Sequence, residues 1–76
     1  MNPEEVERLI EETIEDADAT VRRARGEHDD DHLQAEVVAP EFEGMSLVQQ
    51  HDRVYDALDE HMTTDIHALE LTTRAP

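Results

Sequence analysis

Apolar positions come in two spacings along this 76-residue chain, one helical and one alternating. Near the start, Val6, Leu9, Ile10 and Ile14 recur at helical spacing and make one apolar stripe. Asn2 suits the N-cap, Pro3 the first helical position and Glu5 the capping-box position, so a helix is predicted from 2 to about 16. Residues 19–25 (ATVRRAR) form a weak strand with Val21 as its strong β-former, and residues 26–32 (GEHDDDH) a polar loop. In residues 32–39, Leu33, Ala35 and Val37 alternate inward against Gln34 and Glu36, which predicts a half-buried strand ended by Pro40. The loop joins these two strands as an antiparallel hairpin.

Residues 40–46 make a turn with room for a helical turn around Phe42, whose ring is expected to plug the core, while Gly44 permits a backbone angle that other residues resist. Ser46 with Gln49 caps a second long helix, where Val48, His51, Tyr55, Leu58 and Met62 trace the expected inward stripe with Val54 beside it. Tyr55 is expected in the core with a wet hydroxyl. After a break at 63–65, residues 66–73 form a closing strand with Leu69 and Leu71 inward, and His67 has their parity. The order helix, strand, strand, helix, strand predicts a single α+β domain over 1–76, its helices on one face of a three-stranded sheet.

Composition changes this picture in two ways. There are 21 Asp and Glu against 6 Arg, with a net charge of −15, while periodic apolar positions argue against a disordered acidic tail. A surface adapted to high salt is expected, because the Debye length near molar salt is only about 3 Å and self-repulsion is screened. The same charge disfavours non-specific binding to nucleic acid, whose affinity comes from basic residues neutralising phosphates. The chain has no cysteine, which excludes disulfides and Cys-based zinc sites and fits a reducing interior. No apolar run approaches the roughly 20 residues of a membrane span, so no membrane association and a cytoplasmic location are expected.

Residues 37–73 carry a more specific signal. A strand leads into an F-x-G-x-S turn at Phe42, Gly44 and Ser46; a helix follows with His51, Val54 and Tyr55, then an I-H-A-L strand from Ile66 to Leu69. This pattern resembles the BolA family, whose α-β-β-α-β arrangement is similar to the class II KH fold with a small mixed sheet. The resemblance implies an accessory protein of iron–sulfur metabolism that pairs with a monothiol glutaredoxin and shares a [2Fe–2S] cluster. It further implies His67 as a cluster ligand, with a second ligand from the loop or strand start between the first two strands, where His32 and His28 are the alternatives. The thiolates would come from the glutaredoxin and glutathione, and no cofactor is expected in the isolated chain. Replacing thiolate by neutral imidazole removes negative charge and raises the cluster potential.

Gly44, Met45, His51 and Arg53 are the residues expected to contact a partner, although the position of His51 on the apolar stripe also suits a packed core-edge residue. His61 is expected at the surface. The run Asp29, Asp30, Asp31 lacks the alternating spacing of a calcium loop and reads as a solvated acidic turn. No nucleophile stands in a recognisable motif with a base, so the chain is expected not to be an enzyme. The alternative function is a nucleic-acid-binding transcriptional regulator using the KH-like fold. Asp52 stands against it, at a position where many relatives of the family carry Arg, and the basic cluster Arg22, Arg23 and Arg25 lies away from the turn.

Overall fold

A computed structural model describes residues 1–59, 61–64, 66 and 68–76, with Thr63 and Thr64 described in their backbone alone. The elements are α1 (Pro3–Thr13), β1 (Asp18–Arg23), β2 (His32–Val38), a 3-10 turn (Pro40–Phe42), α2 (Leu47–Leu58), a single turn α3 (His61–Thr64) and β3 (Ala68–Arg74). The sheet order is β1-β2-β3, with β1 antiparallel and β3 parallel to β2. The crossover through α2 makes that parallel pairing possible, since a hairpin cannot join parallel strands.

Both long helices start as their sequences dictate. Glu5 N–H donates to Asn2 Oδ1 (2.8 Å) and Asn2 N–H to Glu5 Oε1 (3.2 Å). Gln49 N–H donates to Ser46 Oγ (3.2 Å) and Ser46 N–H to Gln49 Oε1 (2.9 Å). Neither helix ends at a glycine. Asp16 and Asp59 take positive φ values of 57° and 48° just beyond them, where glycine is the usual residue. The second helix therefore stops at Leu58 rather than running to Met62, and Thr63 and Thr64, expected in a break, close α3 instead. Asp65 of that predicted break lies outside the described residues.

The core joins α1, the inner face of the sheet and the inner face of α2. Val6, Ile10 and Ile14 of the first stripe are fully buried, as are Val37, Ala39, Val54 and Leu58. Full burial of one such Val, Leu or Ile side chain contributes about 1.5–3 kcal/mol, a large share in a domain this small. The alternation of β2 holds, with Leu33, Ala35 and Val37 buried and Gln34 and Glu36 exposed. Phe42 is 1% exposed and plugs the core, while Gly44 sits at φ +81° in the turn that follows.

The inward face of α2 differs from the predicted stripe. Gln50, Val54, Ala57 and Leu58 are buried, whereas Val48 is 70% exposed, Leu47 63% and Tyr55 37%. Tyr55 is thus a surface residue, not a core one. The helix carries apolar residues on two sides, and packing against α1 and the sheet selects the side with Val54 and Leu58. The entry turn supports that choice: Gln50 Nε2 donates to the Met45 carbonyl (2.9 Å), holding position 50 inward.

The outer edge of β1 is covered from an unexpected source. Val21 N–H donates to Glu7 Oε2 (2.7 Å) and Ala19 N–H to Glu11 Oε2 (3.0 Å), both from α1. These amides would otherwise offer an open edge to another strand.

Candidate functional site

The loop between β1 and β2 is built around one carboxylate. Gly26, at φ +123°, opens a turn closed by Asp29 N–H donating to the Gly26 carbonyl (3.1 Å). Asp29 Oδ1 then accepts Asp31 N–H (2.8 Å), and Asp29 Oδ2 lies 3.1 Å from His32 Nδ1. The Asp31 amide holds the Asp29 carboxyl below the ordinary value of 3.8, and the His32 imidazole adds to that effect. Beside it, Arg23 Nε donates to Asp30 Oδ1 at 2.6 Å. The acidic run stays partly exposed to solvent, yet two of its three carboxylates also hold partners in the fold.

These bonds put His32 at the head of β2 in a half-buried setting, with 25% of its side chain exposed. Its carbonyl accepts Ala24 N–H (2.8 Å), and the preceding carbonyl of Asp31 accepts Ala68 N–H (2.8 Å). In the parallel ladder the registered partner of His32 is Ala68, the residue that follows His67 in sequence. His67 itself lies outside the described residues. His28 is exposed in the loop, four residues before His32. Among the described residues, no group of three or more His, Cys, Asp or Glu side chains is arranged to hold a metal ion.

The residues expected to contact a partner cluster around the start of α2. Gly44 is exposed, Met45 is partly buried against the core, and His51 is half-buried, with exposed Leu47 and Val48 beside them. The Arg53 guanidinium is held within the fold, Nε donating to Glu41 Oε2 (3.0 Å) and Nη2 to the Thr13 carbonyl (3.1 Å). His61 is half-buried in α3. The open face of the sheet carries a shallow depression of about 240 Å³ lined by Thr20, Arg22, Gln34, Glu36, Glu70 and Thr72. It is polar and of mixed charge, and none of the described histidines lines it. Of the six arginines, Arg23, Arg53 and Arg74 pair with Asp30, Glu41 and Glu36 respectively, which reduces the basic surface available to a phosphate backbone. No described helix is long and apolar enough to cross a membrane.

Helices packed on one face of a β1-β2-β3 mixed sheet, with an F-x-G-x-S turn before the second long helix, define an α+β fold of the BolA class. The sequence matches the BolA-like protein family over residues 5–76, and the chain belongs to that family. It superposes on a BolA protein homologue from Coxiella burnetii with a TM-score of 0.79 and 37% identity, covering 100% of this chain and 92% of that one. It is 40% identical over 53 residues to "Protein BOLA1, chloroplastic" of Arabidopsis thaliana, covering 68% of this chain and 33% of the relative. It is also 33% identical over 58 residues to "SufE-like protein 1, chloroplastic/mitochondrial" of the same plant, covering 76% of this chain. The match to that SufE-like protein spans only 16% of its length, so both plant relatives are much longer than the shared domain.

Proposed function

We propose that this chain is a cytoplasmic accessory protein of iron–sulfur metabolism, a binding protein rather than an enzyme. In this reading it docks a monothiol glutaredoxin and shares a [2Fe–2S] cluster with it, in cluster trafficking or iron sensing. The observation that carries the proposal is the register of the parallel ladder. His32 is paired with Ala68, the residue that follows His67 in sequence, so the head of β2 lies beside the start of β3. Membership of the BolA-like family, and the occurrence of a related sequence within a SufE-like protein, support the same reading.

The donor set fits a shared cluster. With no cysteine, the chain supplies imidazole nitrogen alone, and the thiolates come from the glutaredoxin and glutathione. His32 is preferred to His28 as the second donor because it is held at the strand head. A bound cluster would supply one-electron chemistry at a potential raised by its imidazole ligands. The partner surface extends over Gly44, Met45 and His51, continuous in sequence with exposed Leu47 and Val48.

The test is to reconstitute the cluster on a mixture of this chain and a monothiol glutaredoxin with glutathione. Visible absorption and circular dichroism of the wild-type complex are compared with those of His67→Ala and His32→Ala. Both variants should change the spectrum and weaken cluster retention. An unchanged spectrum in both would remove the ligand assignment.

A further inference from the structure

We propose that Asp29 is a positioning residue that presents His32 to metal through Nε2, by holding its Nδ1–H while the same carboxylate pins the loop. The metal part of this inference rests on the function proposed above; the hold on the imidazole does not.

The argument starts from what a carboxylate can do. An ionised carboxylate only accepts hydrogen bonds, so the imidazole nitrogen 3.1 Å from Asp29 Oδ2 must carry the proton. In neutral imidazole the lone pair then belongs to Nε2. Asp29 Oδ1 accepts the Asp31 amide at the same time, so both carboxylate oxygens act as acceptors here. A ring nitrogen donating to a carboxylate is also the usual outer partner of a metal-ligating histidine, fixing tautomer and ring orientation and raising ligand basicity. Histidine side chains exposed to water prefer the other tautomer, with the proton on Nε2, so the hold has a measurable signature.

The geometry makes Asp29 more than a neighbour. Oδ1 is committed to Asp31 N–H at 2.8 Å, and the Asp31 carbonyl accepts Ala68 N–H at 2.8 Å. One carboxylate therefore links the ring of His32 to the loop backbone, and that backbone to the start of β3. His28, four residues before His32, stands exposed without such an anchor among the described residues.

Asp29→Asn separates the two tasks. The side-chain oxygen of Asn can still accept Asp31 N–H, but its amide then faces His32 Nδ1 as a donor and forces that nitrogen to accept. The loop should survive and the tautomer should invert. The experiment records two-bond imidazole ¹⁵N–¹H correlations on the full chain near pH 8 in molar KCl. Wild type should show His32 protonated on Nδ1; Asp29→Asn should move the proton to Nε2 with the Asp31 amide resonance nearly in place; Asp29→Ala should give the mixture of an exposed imidazole. A wild-type ring protonated on Nε2, or a tautomer indifferent to Asp29→Asn, overturns the proposal.

The second arm uses the reconstituted complex with monothiol glutaredoxin and glutathione. Asp29→Asn should weaken cluster retention about 10–100-fold and shift the midpoint potential. If His32→Ala alters the cluster while Asp29→Asn leaves retention and potential as in wild type, the positioning role is wrong and the ligand assignment stands. If neither His32→Ala nor His67→Ala alters it, the ligand reading fails, and the metal role of Asp29 fails with it.

Discussion

The two long helices open with the same device and differ in how their inward faces are encoded. In α1 the strongly apolar residues Val6, Leu9, Ile10 and Ile14 lie on one side, and that side faces the core. In α2 the apolar residues lie on two sides, and the side with Val48 and Tyr55 remains exposed while Val54, Ala57 and Leu58 are buried. Periodicity selects a face only when one face is apolar. Where two compete, neighbouring elements decide, and the rejected face is left as exposed hydrophobic surface beside the residues proposed to meet a partner.

The sharpest way to break this comparison is to charge the buried face. Val54→Asp places an uncompensated carboxylate in the core and should cost about 3–5 kcal/mol, enough to unfold a large fraction of so small a domain. Salt tests the outer faces of both helices, where exposed Glu12 on α1 and Asp52 and Asp56 on α2 add to the −15 charge. Moving from low salt to molar KCl should raise Tm by at least about 4–8 °C, the shift 1 kcal/mol makes in a domain of this size. A flat salt response would argue against salt adaptation. Glu7→Ala should cost about 1.5 kcal/mol, as expected for a charge-assisted bond to Val21 N–H, and should increase self-association through β1. At the small end, Val48→Gln should stay within about 0.5 kcal/mol in urea unfolding. If it destabilises as strongly as Val54→Asp, the assigned face of α2 is wrong.

The candidate site was legible unevenly, for similar reasons. His32 stood out by residue type and by its place at a strand head, and Phe42 and Gly44 by the turn they share. Asp29 did not, because a run of three aspartates looks like a solvated turn until the backbone folds one carboxylate onto the Asp31 amide and His32. The spacing of an Asp three residues before a His at a strand start was the available signal. Glu7 and Glu11 were hidden among many helix acids, since their partners lie 14 and 8 residues away on another element.

Local chemistry written in the chain settled the caps at Asn2 and Ser46, the alternation of β2 and the stripe of α1, because each depends on residues within a turn or two. Only tertiary packing settled the face of α2, the cover on the β1 edge and the pairing of His32 with Ala68. Those depend on which surfaces meet across the fold, and contacts between distant segments leave no periodic trace in a single sequence.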